Sequence, residues 1–527
     1  MDIASSIIEK FQHVDDTIDI DESNLTPVQE FYKGAKVFVT GFTGFLGQIL
    51  VEKLLRSCPV STVYVLMRKK KGKDIEVRLQ EIFDNHLFSR MKKNCPDFRA
   101  KVVAIEGDCA LPDLGLSDQD KKLLIDEVNI VFHVAATVRF DEKLKTAVAT
   151  NVRATRDLLL LVKQMPHVKS YLHVSTAYSN CIHDVIEERV YPPAMGYKDL
   201  IEISECLDSL LLDNMQSHFL GNYPNTYVYS KQVAEDVVKQ LTKDFPAGIF
   251  RPSIVISTYK EPIRGWINNF YGATGVFYGS GVGLLRVLYC DEESVANIVP
   301  VDMCVNGLIA SAWDVGQRFD KAKEEGGEYE MPVYNYESTN DKPINWKNFM
   351  DISSKYGLQF PPVGCIWVFF LYLVKSYFRY IVLVIFLHFI PCMLVDAMLF
   401  FRGKKMRMMK AYKKIHTFSS LMAYFCVRSF KFHSANVHKM LDGMTKKDRG
   451  VFFCDLRELD WDEFFQTYGI GARVYLAKDP LDTIPKGRKF YRRLQWAHNT
   501  VKTVLGLLGV TILWLIMSGI YKLIFLG

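Results

Sequence analysis

The most restrictive feature lies near the start. An apolar run at 37–40 breaks into Gly41-Phe42-Thr43-Gly44-Phe45-Leu46-Gly47, after which Leu46, Leu50 and Leu54 fall on one helical face. A glycine turn between a strand and a helix brings backbone close to a pyrophosphate and aims free helix N–H groups at it. The spacing of Gly41, Gly44 and Gly47 is GxxGxxG rather than the standard GxGxxG, but the physics is similar. Gly41, Thr43, Gly44, Phe45, Leu46 and Gly47 are therefore candidate cofactor contacts.

The rhythm then repeats. Runs at 63–68, 102–108, 130–136, 170–176 and 248–256 read as short buried strands separated by helical stretches. Such alternation predicts right-handed βαβ units: an α/β fold with a doubly wound parallel sheet, of the Rossmann kind. Residues 1–30 read as a polar lead-in and 31–340 as the dinucleotide-binding domain. Residues 257–330 lose the rhythm and gain glycine and aromatics, so they are assigned to a substrate lobe over the sheet's carboxyl edge.

The second strand ends in Met67-Arg68-Lys69-Lys70-Lys71, where an NAD enzyme usually carries an acid. Arg68 in that cluster suits the 2′-phosphate of NADPH; the bland alternative is a solvated basic loop. Asp108 ends the third strand within reach of an adenine edge, and Ala135, beside Ala136, leaves room for a cofactor along the fourth.

Tyr227 and Lys231 stand four apart, one above the other on a helix. A tyrosine titrates near ~10, too high for easy acid–base work, and a fixed ammonium one turn away favours its phenolate. Thr176, or Ser175 beside it, ends a neighbouring strand and can polarise a carbonyl. A buried tyrosine that merely packs is the competing reading, weakened by the motif's position between the fifth and sixth strands.

The far end differs in character. Between Lys502 and Lys522 lie 19 uncharged residues, 503–521, spanning roughly 28 Å as a helix and close to a bilayer core. They read as a transmembrane tail behind a basic linker at 481–502, which places the bulk of the chain in the cytosol. A buried C-terminal helix is the alternative. Within 341–480, a mainly helical domain, the apolar stretch 363–401 precedes a basic run from Arg402 to Lys414. It reads either as a monotopic membrane patch or as a buried helix pair; two full spans would strand Lys375 and Arg379 in a short luminal turn.

A net charge of +6 is too mild for a dedicated nucleic-acid binder. Eleven scattered cysteines without a CxxC or CxxH pair predict neither a disulfide framework nor a zinc site, and the N-terminus carries no secretory signal. Oligomeric state is not legible, and a homo-oligomer stays open.

The segments 40–47, 133–142, 173–180 and 227–235 resemble the extended or atypical short-chain dehydrogenases. Residues 251–255, 261–269 and 299–307, with the block 448–494, narrow the likeness to the fatty acyl-CoA reductases, whose animal and especially insect members carry a male-sterility-like C-terminal region. The resemblance implies NADPH-dependent, two-step reduction of long-chain acyl-CoA through an aldehyde to a primary alcohol, feeding ether-lipid, wax or hydrocarbon synthesis. It makes Tyr227 the acid, Lys231 its modulator, and Thr176 the orienting hydroxyl with Ser175 the fallback. A long acyl chain and its alcohol partition into bilayers, which implies a membrane-lipid setting, and the short, nearly neutral end after Lys522 favours the endoplasmic reticulum over the peroxisome. Phe42 in the turn and Phe430 near the C-terminus depart from the family's pattern. A sterol or nucleotide-sugar dehydrogenase would lack the 448–494 block, and a non-catalytic scaffold would not need the Thr176, Tyr227 and Lys231 set.

Overall fold

The computed structural model describes residues 3–13, 19–70 and 72–525. Seven strands form the main sheet: β1 (Lys36–Thr40), β2 (Thr62–Met67), β3 (Val102–Glu106), β4 (Ile130–His133), β5 (Ser170–Val174), β6 (Ala247–Pro252) and β7 (Val333–Tyr336). Their order is β7-β6-β5-β4-β1-β2-β3 and every neighbouring pair is parallel. Strand order reverses between β1 and β4, and the register Thr40↔His133 aligns their carboxyl ends there.

All six expected strands form, though the last splits: β6 stops at Pro252, and Ile254–Ile256 pairs with Ile298–Pro300 instead. The seventh, β7, had no signal because Val-Tyr-Asn-Tyr lacks a branched run and carries an amide. Asn335 is nonetheless fully buried, its side chain donating to the Ile186 and His433 carbonyls.

Seven helices matter below: α1 (Ile3–Gln12), α2 (Phe45–Ser57), α3 (Thr226–Leu241), α4 (Val301–Glu324), α5 (Tyr377–Phe401, with a π-helical turn at Ile385–Phe389), α6 (Met408–Cys426) and α7 (Ile484–Phe525). Helix α4 corrects the expected lobe. It crosses over to β7 and packs on β5, β6 and α2, because Val301, Val305, Leu308, Ile309, Ala312 and Val315 make a helical stripe. Only 257–300 are left to lie beyond the sheet's edge. The lead-in also differs from expectation: Ala4, Ile7 and Phe11 share one face of α1 and are buried against the helix Trp461–Gly471 and Tyr475.

Helices α5 and α7 are long and apolar enough to cross a membrane. Most of α5 is exposed, so it is not half of a buried pair, and Tyr372–Val374 just before it is a strand beside Val287–Tyr289. The basic linker is no loose connection either. It is the first half of α7, docked by Arg488 Nε on the Gln359 carbonyl (3.0 Å) and by the Phe369 N–H on the Tyr491 hydroxyl (3.0 Å).

Candidate active site

Thr40 closes β1 by accepting the Ala135 N–H (3.2 Å), while its Oγ1 lies 2.8 Å from His133 Nδ1. Gly41 follows with φ +80°, and a Cβ there would sit 2.6 Å from the Ala135 nitrogen. A Cβ on Gly47 would overlap the Gly41 carbonyl. The turn therefore fits against β4 only as glycine, which leaves the start of α2 open to a diphosphate. Gly44 caps that helix without any side-chain bond, so its first N–H groups keep their capacity for an anion.

Side chains in the turn are committed elsewhere. Phe45 stacks on Trp266 at 5.5 Å, Leu46 packs on the core, and Thr43 is exposed with its carbonyl taken by Gln48 Nε2. Phe42 is fully buried against Phe83 (5.8 Å), so this departure from the family pattern points into the core and away from the turn's open side. At the ends of β2 and β3, Arg68 is largely exposed and meets Asp108 across 3.4 Å. Lys69 pairs with Glu106, and Lys71 lies outside the described residues.

Helix α3 starts at Asn225, whose side chain accepts the Val228 N–H. Tyr227 sits one turn before Lys231, as the spacing requires, with the Thr176 hydroxyl close by its own. Burial pushes the Tyr227 phenol up to about 12, against a smaller opposing pull from Thr176. The expected lowering by the ammonium does not figure among the causes of the shift: desolvation dominates, and the phenol stays protonated. Lys231 donates to the Val174 carbonyl at 2.6 Å; burial lowers it to about 8 against the opposing pull of Glu235.

Ser175 is placed differently. Its hydroxyl donates to Glu235 at 2.5 Å in a fully buried network with Ser179 and Arg251, the last paired to Glu235 at 2.6 Å. Ser175 holds the underside of α3; Thr176 faces Tyr227.

Sequence reasoning missed two contributors. Asn151, on the π-helical segment Val148–Arg153, accepts the Thr137 N–H (2.9 Å) and donates to Ser230 (2.9 Å), tying β4's exit to α3. Its signal was a lone amide between buried Val148 and Val152, at a π-bulge of the sort common at functional sites. The second is an aromatic wall. Phe140 stacks on Tyr227 at 5.8 Å and meets Phe425 of α6 at 5.6 Å, with Tyr178 and Phe430 behind. Phe430, the other departure, fills that wall without an indole. Cys109, on the cofactor side, is pushed up to about 12 by burial, a poor setting for a thiolate.

Two family models, both described as "Male sterility protein", match the chain, one over 39–308 and the other over 387–479. The chain is 41% identical to the fatty acyl-CoA reductase wat of Drosophila melanogaster, covering 94% of this chain and 95% of the fly protein. It is 36% identical to human fatty acyl-CoA reductase 1, over 91% and 93% of the two chains. This chain belongs to the fatty acyl-CoA reductases. Among solved structures, the terminal reductase domain of the myxalamid pathway aligns with TM-score 0.52 at 18% identity, covering 90% of this chain and 99% of the domain. That likeness concerns the fold. A nicotinamide dinucleotide cofactor follows from the family, and the glycine cradle fits it.

Proposed function

We propose that this fatty acyl-CoA reductase converts long-chain acyl-CoA to the primary alcohol with NADPH. The observation that carries the reading is the placement of the Thr176 and Tyr227 hydroxyls side by side at the open end of the sheet, with Lys231 one turn on and an aromatic wall above. The nicotinamide supplies hydride when bound. Thr176 and Tyr227 offer two hydroxyl donors to one carbonyl oxygen, stabilising charge that develops there. Tyr227, protonated by virtue of its burial, gives up its proton to that oxygen. As the carbon–sulfur bond breaks, the hydroxyl proton of the hemithioacetal passes to sulfur and CoA leaves as the thiol. Once Tyr227 has regained a proton from solvent, and with a second NADPH to supply hydride, the aldehyde meets the same two hydroxyls for a second reduction. Phe140 and Phe425 exclude water and give the first carbons of an acyl chain an apolar surface. Arg68, largely exposed at the end of β2 and only loosely held by Asp108 at 3.4 Å, supports a preference for NADPH. The tail of α7 from 503 onward is read as the anchor, with the body on the cytosolic face of the endoplasmic reticulum.

Tyr227→Phe tests the chemistry. Acyl-CoA-dependent oxidation of NADPH should fall by about 10²–10⁴ while NADPH binding, followed by fluorescence, stays intact. Turnover within a few-fold of the parent would remove Tyr227 from the mechanism.

A further inference from the structure

Helix α5 has its polarity inside out. A surface helix normally buries an apolar stripe and shows water a polar face. In α5 the buried stripe is Tyr380, Val384, His388, Cys392 and Asp396, one residue in four, and three of these carry hydrogen-bonding groups. His388 Nε2 accepts the Arg286 N–H (2.9 Å), and Asp396 accepts the N–H groups of Arg407, Met408 and Met409, capping α6. Apart from Arg379 in the first turn, the outer face is large and apolar: Phe378, Phe386, Met393, Leu394, Phe400 and Phe401 are each more than half exposed. The basic run Arg402, Lys404, Lys405 and Arg407 follows directly, all of it exposed.

Length alone would let α5 cross a bilayer, since 25 residues reach about 37 Å. Its docking argues otherwise. Helix α6 lies along it, and the Tyr412 ring packs at a tilt against His388 near the midpoint of α5, with centroids 4.8 Å apart. Exposed Lys413 and Lys414 come next in α6, so a crossing α5 would hold two ammonium groups at mid-bilayer depth. Laid flat, the same arrangement puts the aromatic face in lipid and keeps the lysines on the headgroup side.

We propose that α5 lies in the plane of the membrane, its outer face in one leaflet and its basic flank on anionic headgroups. This contact goes beyond the anchoring role given to α7 and stands without it. The test uses the full chain in phosphatidylcholine vesicles, with and without phosphatidylserine, containing lipids that carry a photoreactive diazirine either near the headgroup or near the chain end. Labelled peptides are mapped by mass spectrometry. The shallow probe should label α5 along its whole length, several-fold more with phosphatidylserine, while the deep probe should label α7 and spare α5. Phe386→Glu with Leu394→Glu should abolish labelling of α5 and leave α7 unchanged. Deep labelling confined to the middle of α5 would overturn the proposal in favour of a crossing. Labelling of α7 alone would also overturn it, with a second copy of the chain then the candidate cover. Labelling of α5 without deep labelling of α7 would uphold it and remove the tail anchor instead.

Discussion

Helix α2 carries Glu52, Lys53 and Arg56 into the interior, whereas α5 carries phenylalanine and leucine out of it. The charges on α2 survive burial because each is answered: Arg56 by Glu52 (2.8 Å), Glu261 (3.0 Å) and Asp19, and Lys53 by Glu261 and the Val451 carbonyl. Among the described residues nothing answers the exposed face of α5. Hydropathy measures what a segment prefers; it does not say on which side the chain supplies that preference.

If this contrast holds, substitutions on the two helices must cost different things. The largest effect belongs to α2: Arg56→Met would leave Glu52 and Glu261 short of a cation and should destabilise the body by about 3–5 kcal/mol, read as a fall in denaturation midpoint. A near-neutral result would mean that this ion cluster is not held as described.

Lys231 sharpens the point from inside the site, being a buried cation with one carbonyl for a close partner. With its folded value lowered to about 8, it should be lost as an ammonium as pH rises through about 8, so kcat/KM should decline there while Tyr227, at about 12, stays protonated. Stability should move the other way. Between about 8 and the ordinary lysine value the unfolded chain holds more protons, so this group makes folding more favourable as pH rises. A flat activity profile from pH 7 to 10 would break the assignment.

On α5 the costs shrink. Asp396→Ala removes the cap of α6 and should cost about 1 kcal/mol. Phe386→Glu should change stability in detergent by no more than about 0.5 kcal/mol, while weakening retention on vesicles. A large loss of stability from Phe386→Glu would mean that its ring packs on protein.

What was legible in the sequence follows the same division. The glycine turn, the six strands and the Tyr227–Lys231 pair are local patterns, set by neighbours a turn or a strand away. Asn151, the Phe140–Phe425 contact and the inward stripe of α5 depend on partners far off in the chain. Only the resemblance ranks Thr176 above Ser175; the bonds that occupy Ser175 come from Glu235 and, through it, Arg251 on two other elements, out of reach of local pattern. Helix α4 was masked by the glycines and aromatics around it, although its own stripe is regular.

The bond from Lys53 to the Val451 carbonyl spans 398 positions. In the same stretch Tyr336 donates to the Cys454 carbonyl and Asn306 to that of Phe453, so three early elements wait on one late segment. A ribosome that has just released β7 has therefore not released a finished nucleotide-binding domain. Lys53 would stand without one of its ligands until the chain is more than four-fifths made. Nascent chains stalled before that point should be held by chaperones and cleaved readily, and cutting the gene between the two halves should yield no soluble cofactor domain.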